Sequence, residues 1–288
     1  MEDKESMTSD YFHVTGLPCP AYASLYDKII VDSKLKKSLL NYCLLLFRLD
    51  GRLTAIYRFI LLYGPSGTGK TTLMKGLANR VAKAISSKAG HSVKLFEINV
   101  STFFSEYLGR TSKAVTEAFQ TVRMAARRFP VILLLDEIES IGMERTSVGA
   151  GDPTDVIRGV NTFITELDRL KQFTNIIVLA TSNFSSAIDQ AVRNRADLKY
   201  YIGNPSKAAA KKILKASVEE LGKEIRLKMP ASFTKSVINM LYNGQLTTPL
   251  SGRDLSRLIV LTVGTKGKNQ ITVEDVLGVA RMLMEERR

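Results

Sequence analysis

An eight-residue string near position 64 constrains the fold of this chain more than any other feature. It reads Gly64-Pro-Ser-Gly-Thr-Gly-Lys70-Thr71, a full match to G-x-x-x-x-G-K-[ST], between the apolar run 59–63 and a helical pattern from Leu73. Glycines let the backbone curl so that successive N–H groups converge on an anion, and the following helix points its positive end at the same place. The string therefore predicts a strand, a phosphate-binding loop and a helix in direct succession.

The expected ligand of this loop is a nucleotide polyphosphate with Mg²⁺. Lys70 is expected to reach the β and γ phosphate oxygens, and the Thr71 hydroxyl is expected to ligate the metal. The residues expected to contact the nucleotide are those of the loop and of the first helical turn: Gly64, Pro65, Ser66, Gly67, Thr68, Gly69, Lys70, Thr71 and Thr72.

Composition excludes several classes of protein. Of 288 residues, 45% are hydrophobic, which is enough for one large and one smaller globular core. The apolar runs are shorter than the ~20 residues of a membrane span, and the polar, acidic start is unlike a signal peptide. Cys19 and Cys43, with two histidines, supply neither a disulfide framework nor a four-ligand metal site. We therefore expect a cytoplasmic protein that does not bind membranes.

The net charge of +13 raises the question of an acidic partner such as nucleic acid. Residues 205–288 hold 15 Lys and Arg against 8 Asp and Glu, so the excess is denser at this end. These charges are spread along helical patterns, without an arginine-rich arm or interleaved aromatic residues. A solvated basic surface and a polyanion-binding surface are therefore both compatible with the sequence.

After the loop, short apolar strands alternate with helices, a pattern typical of an α/β fold with a parallel sheet covered on both faces. Strands are predicted at 93–98, 131–135, 175–180 and 199–202, and helices at 70–85, 111–128, 154–170 and 186–193. Residues 1–57 are predicted to be mostly helical, with Asp32 or Ser33 as a helix cap. In such a sheet, ligands bind at the carboxyl ends of the strands.

The last third of the sequence has a different pattern, in which helix follows helix without returning strands. Helices are predicted at 206–223, 231–242, 251–263 and 273–286. The dipeptide Asn204-Pro205 is the natural break between the two patterns. We therefore expect a large α/β domain over residues 1–204, including the helical approach, and a small all-helical domain over residues 205–288.

Two acids end the apolar strand near residue 135, and they predict hydrolysis in addition to nucleotide binding. Asp136 is placed for the Mg²⁺ shell, and Glu137 can polarise a water towards the γ-phosphate. The alternative, that the acids only cap the next helix, is weakened by the phosphate loop upstream. Asn183 follows another strand and could orient the attacking water, although an asparagine in this place is usually a turn residue.

Arginines in two places could reach a phosphate. Arg193 and Arg195 precede the last predicted strand, where a guanidinium can stabilise a transferring phosphoryl group across a subunit boundary. The alternative is that they are surface residues paired with Asp189 or Asp197. Arg253 opens a predicted helix, whose start prefers anions, and this placement is understandable if its side chain reaches a γ-phosphate.

In this order, these motifs resemble an AAA+ P-loop NTPase, whose parallel sheet between helices is followed by a small all-helical lid, with ATP and Mg²⁺ as ligands. Within that superfamily the chain is similar to the pachytene checkpoint family, ring ATPases that remodel HORMA-domain proteins. The resemblance covers residue 24 to the end and rests most specifically on Glu97-Ile-Asn99, Asp152-Pro-Thr-Asp155-Val-Ile-Arg158-Gly-Val-Asn161, Arg195-Ala-Asp-Leu-Lys-Tyr-Tyr-Ile-Gly203-Asn-Pro205 and Leu250-Ser-Gly-Arg253.

The resemblance implies roles for further residues. Arg195 matches the arginine finger of the family, Asn183 its first sensor and Arg253 its second. Ser105-Glu-Tyr107-Leu108-Gly109 matches the pore loop, so Tyr107 and Leu108 are expected to grip a polypeptide. The alternative is that these two residues pack under the next helix. A second pore loop is expected around Gly149-Ala-Gly151-Asp152, where Gly151 and Asp152 would line the pore.

The setting in which such a protein works is less determined by the sequence. Because the phosphate loop begins at Gly64, we expect no substrate-recognition domain of the kind that precedes the ATPase in checkpoint members. The sequence resembles more closely the short AAA+-only members of bacterial antiphage signalling systems. Their HORMA partners activate a nucleotidyltransferase that makes cyclic oligonucleotides.

We therefore expect an ATP-hydrolysing homo-oligomer, a hexameric ring, that disassembles a HORMA-domain complex. Three alternatives stay open. They are a meiotic or mitotic checkpoint remodeller, a nucleic-acid loader or translocase, and a nucleotide-gated scaffold. The net charge of +13 favours the second, although no DNA-binding module accompanies the motifs. The presence of Glu137 argues against the third.

Overall fold

A computed structural model of the chain describes residues 8–9, 11–49, 56–89, 92–105, 110–141, 153–184, 188–227, 230, 232–242, 249–267 and 270–285. These residues divide into two compact units. The first lies within Met1–Gly64 and Lys70–Tyr201, and the second within Pro65–Gly69 and Ile202–Arg288. In this part of the chain no helix is both long and apolar enough to cross a membrane. The cytoplasmic location stays a prediction.

The first unit is built on one sheet of seven described strands in the order β1-β2-β4-β5-β6-β3-β7. Strands β1 and β2 pair antiparallel at one edge, and the other five strands run parallel to one another. The strands are β1 Thr8–Ser9, β2 Phe12–Leu17, β3 Phe59–Tyr63, β4 Val93–Asn99, β5 Val131–Asp136, β6 Ile176–Ser182 and β7 Leu198–Tyr201.

Helices in the first unit connect these strands, as parallel pairing requires. They are α1 Leu25–Lys28, α2 Ser33–Leu46, α3 Lys70–Ala89, α4 Val100–Ser105, α5 Thr111–Ala126, α6 Pro153–Leu170 and α7 Gln190–Arg195, preceded by a short 3₁₀ turn at Pro20–Tyr22. The central strands β5 and β6 are buried almost throughout because helices cover the sheet. Asp32 is the residue that caps α2, through Oδ1, which accepts from the Lys34 amide at 2.8 Å.

The predicted fold class and the predicted central strands are confirmed, and the largest difference lies near the N-terminus. The segment expected to be mostly helical contains β2, which pairs antiparallel with β4 from His13 opposite Glu97 to Leu17 opposite Val93. Phe12 and Val14 are buried and His13 between them is exposed, so the strand follows an alternation of period two. This alternation is only six residues long, which is why the helical pattern that follows dominates the sequence.

The second unit contains four described helices, α8 Lys207–Glu224, α9 Phe233–Tyr242, α10 Gly252–Lys266 and α11 Val273–Glu285. They enclose a separate apolar core that includes Leu214, Val237 and Leu258. Helix α10 runs three residues beyond the predicted end, to Lys266. The next residue, Gly267, caps the helix with a φ of 60°, the left-handed conformation that favours glycine. The observed bounds otherwise agree with the four predicted helices to within about two residues.

Candidate active site

The phosphate-binding loop has the backbone conformation that its glycines allow. Gly64, Gly67 and Gly69 have φ values of 143°, 76° and 90°, all of which side chains rarely tolerate. The Thr68 hydroxyl donates to the Pro65 carbonyl at 3.0 Å and closes the turn. The loop is therefore folded in the strand–loop–helix context that the motif predicts, between β3 and α3.

Lys70, the first residue of α3, lies at the carboxyl edge of the sheet and is 4% exposed. Its ammonium group donates to the Gly64 carbonyl at 2.8 Å and to Oδ1 of Asn183 at 3.0 Å. Asn183 directly follows β6, the neighbour of β3 in the sheet. The structure thus brings together two of the residues that were singled out from the sequence, although they are 113 positions apart.

Asp136 ends β5 and collects hydrogen bonds on one carboxylate oxygen. Its Oδ1 accepts from the Thr71 hydroxyl at 3.0 Å, from the Glu137 amide at 3.2 Å and, in a shorter contact, from the Thr181 hydroxyl. Among the described residues, no donor contacts the other oxygen, Oδ2. A hydroxyl beside a carboxylate with one open oxygen suits Mg²⁺, which takes one or two protein oxygens and completes its shell with water and phosphate.

Glu137 has an unusual backbone conformation, with a φ of 57° in the left-handed region. Such a conformation costs about 1–3 kcal/mol in a residue other than glycine, and it recurs at functional sites. The strained turn is held by the Ile138 amide, which donates to the Thr181 carbonyl at 3.1 Å, and by the Ser140 amide, which donates to the Glu137 carbonyl at 3.1 Å. The Ser101 hydroxyl lies 3.3 Å from Oε2 of Glu137. This carboxylate is thereby turned towards the ends of β4 and β5.

Arg195 is engaged within its own chain by an acid that was not among its predicted partners. Its Nε and Nη2 atoms donate to Asp168 at 2.8 and 2.7 Å, a bidentate pair, and Nη1 donates to the Ala191 carbonyl at 2.8 Å. These hydrogen bonds lower the pKa of Asp168 and raise that of Arg195.

The alternative pairing of these arginines with Asp189 or Asp197 is wrong for Arg195. Asp189 caps α7 by accepting from the Ala191 amide at 2.8 Å, and Asp197 accepts from the Tyr57 and Phe59 amides at 3.1 and 2.9 Å. Both acids are used for backbone groups, because a buried N–H needs an acceptor. The exposed Arg193 places its guanidinium 5.9 Å from the centre of the Tyr63 ring.

In the second unit, the phosphate loop contacts the start of α10. The Arg253 amide donates to the Gly67 carbonyl at 2.9 Å, and a Cβ on Gly67 would lie 2.6 Å from Oγ of Ser251. Ser251 and Asp254 form a reciprocal capping box, and both are fully or almost fully buried. The Arg253 side chain is exposed, and no described side chain pairs with it.

Three further residues of this site were missed by the sequence analysis: Thr181, Ser101 and Glu139. Thr181 and Ser101 contact Asp136 and Glu137, and Oε1 of Glu139 accepts from the Asn183 amide at 3.0 Å. Ser101 follows the Glu97-Ile-Asn99 motif by two positions, which was the available signal. Tyr107, Leu108, Gly151 and Asp152 lie outside the described residues. Ser66 is exposed and Thr72 half-buried, and their predicted contacts with nucleotide stay predictions.

The chain is similar to known proteins over most of its length. A family model described as ATPase family associated with various cellular activities (AAA) matches residues 60–204. A Danio rerio relative named pachytene checkpoint protein 2 homolog is 33% identical over 292 residues, which cover 93% of this chain and 68% of the relative. The chain spans about half the length, 50–52%, of several other curated relatives that carry this name.

Two solved structures share the fold of this chain. Caenorhabditis elegans PCH-2 superposes with a TM-score of 0.79 at 27% identity, covering 100% of this chain and 77% of that one. A chain of the Escherichia coli MS115-1 HORMA:CdnC:Trip13 complex superposes with a TM-score of 0.77 at 20% identity, covering 95% of both chains, which shows the shared fold. The resemblance inferred from the motifs is thus confirmed, and the chain belongs to the pachytene checkpoint protein 2 family of AAA ATPases.

Proposed function

We propose that this chain is the subunit of a ring ATPase that hydrolyses ATP and uses the energy to pull on a polypeptide. The observation that carries the proposal is the group formed by Lys70, Asp136, Glu137 and Asn183 at the carboxyl ends of β3, β5 and β6. A cation, a Mg²⁺-ligating acid, a second acid and an amide are the groups that phosphoryl transfer to water requires.

In the proposed reaction the loop and Lys70 bind the β and γ phosphates. Thr71 and Asp136 would hold Mg²⁺, which supplies charge neutralisation on the phosphate oxygens. Glu137 accepts a proton from the attacking water while the oxygen of that water bonds to the γ phosphorus. The bond from this phosphorus to the β–γ bridging oxygen breaks, and ADP and phosphate are released. Asn183 orients the water. Its Oδ1 already contacts Lys70, so water and phosphate would be held by adjacent groups.

We propose that the active form is a homo-oligomer, a hexamer, because the finger role of Arg195 requires a neighbouring subunit. Arg195 uses three of its five N–H groups within its own chain, so a face of the guanidinium is still available to a phosphate. Arg253 would report the γ-phosphate to the helical unit over residues 205–288, which we propose to be the lid. Size-exclusion chromatography with light scattering, with and without ATP, measures the assembly.

We propose a HORMA-domain protein as the client, gripped by Tyr107 and Leu108 with Gly151 and Asp152 lining the pore. The fold shared with a chain of the E. coli HORMA:CdnC:Trip13 complex supports an antiphage setting, in which the HORMA protein is bound to a nucleotidyltransferase. A meiotic or mitotic checkpoint client is the alternative within the same family. Replacing both Tyr107 and Leu108 by Ala should spare basal ATP hydrolysis and abolish disassembly of the client complex.

The net charge of +13 supports a second candidate function, a nucleic-acid motor. Such a motor would be stimulated by DNA or RNA, and its binding would weaken steeply with salt because Lys and Arg contacts to phosphate release counterions. ATPase assays with a HORMA partner, with DNA and with RNA, at low and near-physiological salt, distinguish the two. Stimulation by nucleic acid alone, unaffected by the Tyr107 and Leu108 change, would contradict the remodelling proposal.

The chemistry itself is tested with Lys70→Ala and Glu137→Gln. The first variant should lose ATP binding, whereas the second should bind ATP and lose about 10²-fold or more in turnover, because only a proton acceptor is removed. Binding of a fluorescent ATP analogue and release of phosphate are measured separately. Glu219→Gln, on an exposed face of α8, is the matched control and should behave as the unaltered chain. Undiminished hydrolysis by both test variants would contradict the assignment.

A further inference from the structure

Glu139 is a buried acid beside the proposed catalytic residues that the reaction described above does not use. It lies three positions beyond Asp136 and is 5% exposed. Its Oε1 accepts a hydrogen bond from the Asn183 amide at 3.0 Å, and no described group contacts its buried Oε2. A carboxylate in the interior that satisfies only one of its oxygens is costly for folding.

A second buried acid shows how this chain treats such a group when the role is structural. Glu166, which is 0% exposed, pairs with Arg123 and Arg169, so both of its oxygens are engaged by cations. Glu139 has no such cation among the described residues. Stability therefore does not account for an acid at position 139. Its role is better sought in its one hydrogen bond, which it accepts from the backbone amide of Asn183.

That group is the backbone immediately after β6, which carries the Asn183 amide side chain to Lys70. The segment is held on both sides. The Gly64 amide donates to the Ser182 carbonyl at 3.2 Å, and Glu139 accepts from the next amide along, that of Asn183. From there Oδ1 of Asn183 accepts from Lys70 at 3.0 Å. A short chain of contacts thus runs from the Glu139 carboxylate through Asn183 to the ammonium of Lys70.

We propose that Glu139 is a positioning residue for ATP hydrolysis, acting through the backbone of Asn183. A hydrogen bond from an N–H to a carboxylate is short and directional, so it fixes the backbone at the end of β6. The Asn183 side chain is then presented at one place relative to Lys70. Displacement of a catalytic group by about 1 Å can cost 10²-fold in rate, so this contact affects turnover more than nucleotide binding. The inference rests on the proposed ATPase function.

The test compares Glu139→Ala with Glu139→Gln. The glutamine keeps an acceptor oxygen of the same shape for the Asn183 amide, so its kcat should stay within about threefold of the unaltered chain. The alanine removes the acceptor, so its kcat should fall about 10- to 100-fold while the affinity for a fluorescent ATP analogue changes little. Thermal unfolding of each variant, with and without nucleotide, shows that it is folded.

A double-mutant comparison separates a positioning role from a structural one. If Glu139 acts through Asn183, then adding Glu139→Ala to Asn183→Ala should not lower kcat further. Glu166→Gln is the matched control for a buried carboxylate, and it should lower the melting temperature while kcat of the folded protein is kept.

Three results would overturn the inference. These are an unchanged kcat in Glu139→Ala, a loss in Glu139→Gln as large as in Glu139→Ala, and a loss that adds fully to that of Asn183→Ala. A failure of the proposed ATPase function is distinguishable, because the unaltered chain would then release no phosphate. In that case the Lys70→Ala variant and the unaltered chain would release phosphate equally little.

Discussion

The two arginines that are each proposed to contact a γ-phosphate are held in opposite ways. Arg195 is fixed by a bidentate pair with Asp168 and its side chain is 18% exposed, whereas Arg253 is exposed and only its backbone amide is bound, to Gly67. A guanidinium that is already oriented stabilises charge without reorganising. A free arginine must first lose side-chain entropy worth about 2 kcal/mol. The comparison is consistent with the roles proposed above, transition-state stabilisation for Arg195 and nucleotide sensing for Arg253.

The two arginines also stand at opposite ends of their helices, where the helix dipole affects a cation in opposite ways. Arg195 ends α7, and a cation near a helix C-terminus is favourable because of the helix dipole. Arg253 stands in the first turn of α10, where a cation is unfavourable. The buried Asp254, three positions after the N-cap Ser251 in the same turn, offsets part of that cost through the capping box. Helix electrostatics therefore stabilise the first position and not the second, which agrees with a functional reason for Arg253.

The largest effect is expected for Arg195→Ala. Loss of an arginine finger should lower kcat by about 10³-fold or more while nucleotide binding to the altered subunit is kept. Rings mixed from Arg195→Ala and Lys70→Ala subunits should regain part of the activity, because an intact pocket then meets an intact finger. Phosphate release is measured as the two proteins are titrated together. Normal hydrolysis by pure oligomeric Arg195→Ala would show that the finger role is wrong.

A smaller effect is expected for Arg253→Ala. Because the exposed side chain must be ordered on binding, its removal should weaken ATP affinity about tenfold, the usual size for a charged contact, and leave ADP affinity nearly unchanged. Equilibrium binding of both nucleotides is compared. Arg257→Ala, on an exposed face of the same helix, is the control. Equal losses for ATP and ADP would contradict a γ-phosphate contact.

The cap that positions Arg253 should contribute to stability rather than to chemistry. In Ser251→Ala the Asp254 amide, which donates to Oγ of Ser251 at 3.3 Å, loses its acceptor. The expected loss in the free energy of unfolding is about 1–2 kcal/mol, a few degrees in melting temperature. Ser256→Ala, an exposed position of α10, should shift the melting temperature less. Calorimetry of the three proteins decides, and equal melting temperatures would exclude a role for the cap.

The smallest effect is expected for Asp168→Asn. The free energy of unfolding should fall by about 1 kcal/mol or less, because the ion pair between Asp168 and Arg195 is partly exposed to solvent. Arg195 lowers the pKa of Asp168 in the folded protein, so the unfolded chain binds this proton more readily. The stabilisation is therefore complete at pH 7 and is lost as the pH falls below about 4 through the folded pKa. The melting temperatures of the two proteins should differ at pH 7 and approach each other in acid. A constant difference would contradict the ionic contribution.

The sequence was sufficient to predict which residues meet at the centre of the candidate active site. Lys70, Thr71, Asp136 and Asn183 were identified from local motifs, and the carboxyl ends of parallel strands lie at one edge of a sheet, so these residues come together in the structure. Their juxtaposition follows from topology alone. The alternating fold class was predictable for the same reason, since short apolar strands separated by helices admit few arrangements.

The supporting residues could not be predicted, because nothing local marks them. Asp168 and Glu139 act on groups 27 and 44 positions away, and an acid in a helix or after a strand is ordinary in any sequence. The short strand β2 was missed because only four of its six residues precede Gly16, which is too short a run for its alternation to stand out. Prediction from one sequence thus identified the residues that belong to motifs. It missed the acids, Asp168 and Glu139, that hydrogen-bond to those residues.

The backbone at Glu137 implies that this protein is not at its stability optimum. Its φ of 57° suits glycine better than an acid, so Glu137→Gly should release strain of about 1 kcal/mol and raise the melting temperature while abolishing hydrolysis. Glu137→Gln would keep the strain and change the melting temperature little. Directed evolution for thermal tolerance alone would therefore favour an inactive protein, and any stabilised variant needs an activity screen beside it.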